Sequence, residues 1–156
     1  MILFLTSSPC IPGADRAVLN PANGFVDRIR KALPSSPYCL FVCASPDTPE
    51  RTSRFARNMQ DAFSEAGMPF SEMRILDNRS VSMAKEWIQN SQFIILAGGH
   101  VPTQNAFFQK IGLAGLLRDY QGVIMGISAG SMNAAGTVYA QPELEGEAIS
   151  PDNRCH

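Results

Sequence analysis

The sequence contains few charged residues and no long apolar run. Charged residues make up 17% of its 156 residues, and 13 basic against 14 acidic side chains leave a formal net charge of -1. This near-neutral balance argues against nucleic acid or an anionic membrane surface as the main partner. The longest apolar runs, residues 93–98 and 123–127, fall far short of the ~18–20 residues that span a bilayer. The composition therefore predicts a protein without a membrane segment and without a nucleic-acid partner.

Cysteine is also scarce, and the first residues do not resemble a targeting signal. The apolar start at residues 1–6 lacks a basic region and is too short for a signal peptide. Among the four cysteines, Cys39 and Cys43 lie four positions apart in a strand-like run. Residues so spaced share one face of a strand, which favours two small buried side chains over a disulfide or a metal site. Together these features predict a reducing, cytoplasmic location.

Hydrophobic residues are present at an ordinary 45% and are arranged in five strand-like runs. Their apolar residues are continuous rather than alternating, which is typical of strands that are buried on both faces. The runs are residues 2–5, 38–44, 73–76, 93–97 and 123–127. With this length and no internal linker, the sequence predicts a single α/β domain over residues 1–156.

The segments between these runs have helical spacing. Residues 25–33 place an apolar side chain at every fourth position, with Asn23 available as an N-cap and Pro34 as a stop signal. Residues 50–66 and 81–90 have similar helical patterns. Alternating helices and buried strands predict a parallel sheet with helices on both faces.

Two predicted strand ends carry distinctive sequences, at the edge where such sheets bind ligands. They are AGGHVPTQN at residues 97–105 and GISAGSMN at residues 126–133. The second contains G-x-S-x-G between an apolar strand and a helix-like segment, the context of a nucleophile elbow. A tight turn there would lift the Ser128 hydroxyl into a cleft, with glycines allowing close approach of neighbouring backbone. A serine N-cap on a glycine-flanked turn gives the same pattern, but the strand context favours a nucleophile.

An acyl-transfer serine also needs backbone donors for the oxyanion that forms. The amide of Ala129, directly after the serine, would be one donor. Gly98 and Gly99 after the fourth strand are well placed to provide the second. The helix that follows Ser128 would point its N-terminus at the same place and favour negative charge there.

The general base is harder to identify, because the sequence has only two histidines. His100 adjoins the glycine loop, and His156 is the last residue. Carboxylates that could orient a histidine follow the serine in the sequence QPELEGEA, and the same sequence is typical of a solvated loop. They are Glu143, Glu145 and Glu147.

In their order along the chain, these motifs resemble the peptidase family of dipeptidase E and cyanophycinase. The resemblance runs over the whole chain and rests on an N-terminal strand, GG-x-x-x-x-Q after the fourth strand and GxSAG after the fifth. It implies an α/β, flavodoxin-like parallel sheet of the class I glutamine amidotransferase-like type, with serine in place of the amidotransferase cysteine. The implied activity is hydrolysis of the peptide bond after an N-terminal aspartate, or of a β-aspartyl link.

The resemblance also assigns roles to residues. Ser128 would be the catalytic nucleophile, and Gly99 and Ala129 would form the oxyanion hole. Glu143 would be the carboxylate that orients the histidine, with Glu145 as the next choice. We expect Gly98, His100 and Gln104 to line the pocket, and we expect no metal and no cofactor.

Family members continue through a further strand that delivers the catalytic histidine, and then through more strands and helices. We therefore expect this chain to be C-terminally shortened and to lack that histidine, and we do not equate His156 with it. Loss of a triad member costs on the order of 10⁴–10⁶ in turnover.

Two functions stay open at this point. The first is a serine peptidase acting on small peptides. The second is a non-catalytic small-molecule-binding or interaction protein on the same fold, favoured by the missing base and the low charge. Cysteine-based amidotransferase-like chemistry ranks last because no cysteine lies on the elbow. An acidic substrate would need a basic side chain, for which Arg118 and Arg154 are candidates, and an unpaired sheet edge would favour a homodimer.

Overall fold

A five-stranded parallel sheet forms the centre of the protein. The computed structural model describes residues 1–147 and the backbone of residues 154 and 155. The order across the sheet is β1-β5-β4-β2-β3, and all four pairings are parallel. The strands are β1 (Ile2–Thr6), β2 (Tyr38–Val42), β3 (Glu72–Leu76), β4 (Phe93–Leu96) and β5 (Val123–Ile127). The predicted α/β fold class and all five strands are thereby confirmed.

Six α-helices and a small second sheet complete the described residues. The helices are α1 (Phe25–Ala32), α2 (Pro49–Glu65), α3 (Ala84–Asn90), α4 (Val101–Ile111), α5 (Leu113–Leu116) and α6 (Ala129–Met132). The small antiparallel sheet pairs β6 (Val138–Tyr139) with β7 (Arg154–Cys155). No helix in the described part of the chain has the length and apolar character needed to cross a membrane.

Helices cover both faces of the sheet, as the sequence predicts. Successive residues of β2 point to opposite faces, so that Phe41 packs in one core with Phe63 of α2. Leu40 packs in the other core with Ile88 of α3 and Phe107 of α4. The central strands β2, β4 and β5 are buried on both sides, which explains their continuous apolar sequences.

Three local expectations are wrong. Asn23 does not cap α1: it lies in a left-handed conformation, and Gly24 is the N-cap. Cys39 and Cys43 are both buried, as expected, but they pack in different cores because β2 ends at Val42.

The third wrong expectation concerns the segment after β4. The resemblance to the dipeptidase E family gives GG-x-x-x-x-Q, residues 98–104, as a loop. In the structure α4 begins at Val101, and Pro102 lies in its first turn, where a missing amide proton is tolerated. Gln104 is therefore a helical residue.

Candidate active site

Ser128 has a strained backbone at the end of β5. Its φ of 48° and ψ of -110° lie outside the regions that residues with a side chain normally adopt. Such a conformation costs of order 1–3 kcal/mol and persists only where the surroundings enforce it. The side chain of Ser128 is exposed at the edge of the sheet. The predicted elbow between strand and helix is therefore present.

The neighbouring strand β1 holds this elbow in place. The Ser128 amide donates a hydrogen bond to the Thr6 carbonyl at 2.9 Å. The Thr6 amide donates to Ser131 Oγ at 3.0 Å, and that hydroxyl donates to the Thr6 carbonyl at 2.7 Å. The second serine of the GISAGSMN motif is thus a structural residue that ties the turn to β1.

The two glycines of the elbow are required by close approach of backbone. A Cβ on Gly126 would lie 2.8 Å from the Ser131 backbone, and a Cβ on Gly130 would lie 2.2 Å from the Leu96 carbonyl oxygen. Neither position can accept a side chain without movement of the main chain. The G-x-S-x-G spacing therefore has a steric reason in this fold.

Gly98 and Gly99 bring the loop after β4 against the serine. A Cβ on Gly98 would lie 3.5 Å from the Cβ of Ser128, and a Cβ on Gly99 would lie 2.6 Å from the Cβ of Ala44. Within residues 1–147, the amides of Gly99 and Ala129 donate no hydrogen bond to another described residue. Gly99 lines the same cavity as Ser128, whereas Ala129 is fully buried.

The helix after the serine is shorter than the sequence suggests. Helix α6 has only four residues and ends at Met132. One helical turn has few aligned peptide dipoles, so the predicted dipole contribution at Ser128 is small.

Gln104 does not line the site; it joins the two motifs beneath it. Its side chain is fully buried, and its amide nitrogen donates to the Ala97 carbonyl at 2.7 Å. Its side-chain oxygen accepts from Asn133 Nδ2 at 3.0 Å, and Asn133 also donates to the Val101 carbonyl. These bonds connect the loop after β4 with the segment after the elbow.

The hydrogen bonds of His100 argue against a role as the general base. Its Nδ1 lies 2.7 Å from Thr103 Oγ1, and its Nε2 lies 2.6 Å from Glu147 Oε1. Both ring nitrogens are therefore engaged, and neither is left to take a proton from Ser128. The structure places His100 directly after Gly98 and Gly99, where its side chain is paired with the carboxylate of Glu147.

That carboxylate belongs to Glu147, the last of the three candidate glutamates. Its second oxygen accepts hydrogen bonds from the backbone amides of Glu143, at 2.7 Å, and Leu144, at 3.0 Å. These amides and the His100 contact lower the pKa of Glu147 below its ordinary value. Glu143 and Glu145 are exposed, and neither lines the cavity that contains Ser128.

The remaining basic and imidazole candidates are not at the serine. Arg118 lies between α5 and β5, at the amino-terminal edge of the sheet, whereas Ser128 follows the carboxyl end of β5. His156 and the side chain of Arg154 lie outside the described residues.

A cavity of about 420 Å³ opens beside Ser128. The carboxyl ends of β2, β4 and β5, the loop after β1 and helix α2 contribute to its wall. Its lining includes Ser8, Pro9, Cys10, Ala17, Phe41, Arg51, Phe55, Asn58, Met59, Ala97, Gly98, Gly99, Ile127 and Ser128. It lies at the ends of β2 and β4, which are neighbours in the sheet. The chain runs from β2 outward to β3 and then returns past β2 to β4, and such a switch in strand order is a usual ligand position in parallel sheets.

The residues that α2 contributes to this wall are not among those predicted from the sequence. Arg51, Phe55 and Asn58 line the cavity, and Arg51 is in the first turn of the helix. The position of α2 after β2 in the chain is a signal for them, because a helix that directly follows a parallel strand begins at the ligand-binding edge of the sheet.

Burial disfavours the reactive thiolate form of the two cysteines near the site. Cys10 lines the cavity, and burial raises the pKa of its thiol above the ordinary value. Burial and the charge of Asp77 raise the pKa of Cys43 to about 12. Both thiols are protonated at neutral pH, and a thiol is a poor nucleophile in that form.

Comparisons with known proteins identify the fold. No family model matches this sequence, and no curated protein does. Among solved structures, the chain is similar to a 1.5 Å crystal structure of a "Putative Peptidase E Protein" from Listeria monocytogenes EGD-e, with a TM-score of 0.58 and 18% sequence identity. The similarity covers 83% of this chain and 59% of the other. The chain therefore has a peptidase E-like fold and matches about three fifths of that structure's length.

Proposed function

We propose that Ser128 is the nucleophile of a serine peptidase that resembles dipeptidase E and acts on aspartyl dipeptides. The observation that supports this most is the strained backbone of Ser128, which holds an exposed hydroxyl on the wall of the cavity. Strain of this kind clusters at functional sites, where it fixes the position of a reactive group. The peptidase E-like fold supports the same proposal.

The proposed reaction proceeds through an acyl-enzyme. Ser128 Oγ attacks the carbonyl carbon of the peptide bond while its proton passes to a base, and the carbonyl oxygen becomes an anion. The amides of Gly99 and Ala129 donate hydrogen bonds to that oxygen. The carbon–nitrogen bond then breaks, the amine leaves with a proton, and water hydrolyses the ester to regenerate Ser128.

The general base for this reaction is not provided by His100. His100 is the only histidine among residues 1–147, and both of its ring nitrogens are hydrogen-bonded. Within the described residues, Ser128 therefore has no imidazole whose ring nitrogens are free of other partners. An external base of the same chemistry should restore activity in proportion to its concentration.

A hydrolysis assay with added imidazole tests the proposal. We expect cleavage of Asp-Leu to increase with the concentration of neutral imidazole, and to disappear in Ser128→Ala. Ser64→Ala, an exposed serine on α2, is the matched control and should keep the full rate. Cleavage that survives Ser128→Ala, or no cleavage at any imidazole concentration, would contradict the proposal.

One observation favours a second candidate, a non-catalytic protein that binds a small molecule in the same cavity. It is the engagement of both His100 nitrogens, which leaves the serine without a base in the described part of the chain. For this candidate we expect dipeptides to bind without cleavage, and Ser128→Ala to leave their affinity unchanged.

A further inference from the structure

The cavity beside Ser128 contains a single charged side chain among its lining residues, that of Arg51. Arg51 lies in the first turn of α2, and its guanidinium carbon is 5.5 Å from the centre of the Phe55 ring. Phe55 is itself 40% exposed and lines the same cavity. An aromatic ring below a guanidinium restricts its positions and leaves its edge free to donate hydrogen bonds.

Arg51 differs from the arginines that have structural partners. Arg16 pairs with Glu65, and Arg79 pairs with the buried carboxylate of Asp77. Arg30 and Arg74 likewise have acidic partners. The side chain of Arg51 forms no ion pair and no hydrogen bond with any residue among 1–147 that the structure describes, so its five N–H donors are open to a ligand.

Arg51 provides the positive charge in an otherwise neutral cavity lining. The other lining residues are neutral, and many of them are apolar, such as Pro9, Met59 and Ile127. Arg51 itself is exposed, so a ligand that enters the cavity from solvent can reach its guanidinium. The fork of an arginine matches the two oxygens of a carboxylate.

We propose that Arg51 binds a carboxylate of the peptide in the Ser128 cavity and thereby selects acidic ligands. This inference rests on the proposed function, since it places the peptide in the same cavity. The carboxylate has two chemical sources, an acidic side chain of the peptide or its free C-terminus. Arg51 takes the place of Arg118, which lies at the opposite edge of the sheet. The side chain of Arg154, the other candidate, lies outside the described residues.

Calorimetric titration with three dipeptides tests the role of Arg51. The protein carries Ser128→Ala in every sample, so that no peptide is cleaved. The peptides are Asp-Leu, Asn-Leu, which lacks the side-chain carboxylate, and Asp-leucinamide, which lacks the C-terminal one. Arg51→Gln should weaken Asp-Leu binding about tenfold, the usual scale for one hydrogen-bonded charge pair at a partly exposed site.

The peptide that lacks the recognised carboxylate identifies its source. When Arg51 is intact, that peptide should bind about tenfold more weakly than Asp-Leu does. Its affinity should not change further when Arg51→Gln is introduced. If the affinity of Asn-Leu does not change with Arg51→Gln, Arg51 binds the side-chain carboxylate. If the affinity of Asp-leucinamide does not change, Arg51 binds the C-terminal carboxylate. Arg51→Lys, which keeps the charge but not the fork, should retain part of the affinity.

Arg54→Gln is the matched control. Arg54 lies 6.0 Å from the same Phe55 ring but does not line the Ser128 cavity, so its replacement should leave all three affinities unchanged. The inference is overturned if Arg51→Gln binds Asp-Leu as well as the parent does, if Arg54→Gln weakens it equally, or if no peptide binds.

A separate measurement distinguishes this failure from failure of the proposed function. Labelling of Ser128 by a fluorophosphonate, which has no carboxylate, should not depend on Arg51. If labelling persists while binding is independent of Arg51, only the inference fails. If carboxylate binding depends on Arg51 but Ser128 is never labelled, the nucleophile assignment fails and the binding residue stands.

Discussion

Gly126 and Gly130 flank Ser128 because the main chain packs directly against both positions. G-x-S-x-G after an apolar run predicts a turn in which the first and last residues can have no side chain, and the contacts of Gly126 and Gly130 agree with this. Arg51 could not be assigned in that way, because it lies 77 positions before Ser128 in the sequence. Only the packing of α2 on the sheet brings the two to one cavity.

Gly130→Ala should destabilise the protein by about 3 kcal/mol, because the added methyl group would overlap the Leu96 carbonyl and force the main chain apart. Urea unfolding measures this change. Gly115→Ala, in α5 with open space around it, should change stability by no more than about 1 kcal/mol and in the favourable direction. Equal midpoints for the two variants would show that the elbow has no tight contact there.

The strain at Ser128 makes a second prediction at the residue scale. Glycine adopts positive φ without a steric penalty, whereas alanine does not. Ser128→Gly should therefore be more stable than Ser128→Ala by about 1 kcal/mol, part of the ~1–3 kcal/mol that such backbone strain costs. Thermal unfolding of the two variants compares them directly, and a less stable glycine variant would contradict the strained conformation.

At the scale of elements, Glu147 fastens the segment after β6 to the start of α4. One of its oxygens accepts from the amides of Glu143 and Leu144, and the other contacts His100. The amides, and after them His100, lower the pKa of Glu147. A lowered pKa means that the contribution is present above the ordinary glutamate pKa and is lost as the pH falls through the value in the folded protein.

We therefore expect the amides of Glu143 and Leu144 to be protected from hydrogen exchange at neutral pH and to lose protection in acid. Glu147→Ala should remove the protection at neutral pH as well. Glu145→Gln is the control, because Glu145 forms no hydrogen bond with the described residues, and it should retain protection. Rapid exchange of both amides in the parent protein at neutral pH would contradict the contact.

The strands and most helices are predictable from the sequence. The errors occur where the same residues are typical of both a loop and the start of a helix. Strands β2, β4 and β5 are buried on both faces, which is why their apolar runs were clear. Helix α4 was missed because Pro102 and the two preceding glycines are equally typical of a loop. The pairing of Glu147 with His100 was not predictable, since it depends on how residues 140–147 fold back across α4.

On the scale of the whole molecule, the edge strand β1 presents exposed apolar side chains. Ile2, Leu3 and Leu5 are exposed by 49%, 44% and 57%, whereas the opposite edge strand β3 carries the Glu72–Arg74 ion pair. An apolar edge strand invites pairing with another strand. The expectation of a homodimer remains a proposal, and this edge is where we expect the two copies to meet.

Sedimentation velocity over a range of concentrations tests this proposal. The parent chain should associate as its concentration rises, and Leu3→Lys should keep it monomeric, since a charge at the edge opposes strand pairing. Tyr38→Lys, which alters an exposed apolar residue on a central strand, should associate like the parent. A parent chain that stays monomeric throughout would contradict the proposed interface.

The most direct test of the central claim is intact-mass analysis after treatment with a fluorophosphonate, with imidazole present, followed by peptide mapping. The account predicts one adduct per chain, located on Ser128 and absent in Ser128→Ala, with Cys10 unmodified. No adduct, or an adduct that persists in Ser128→Ala, would contradict the claim that the elbow presents a reactive serine.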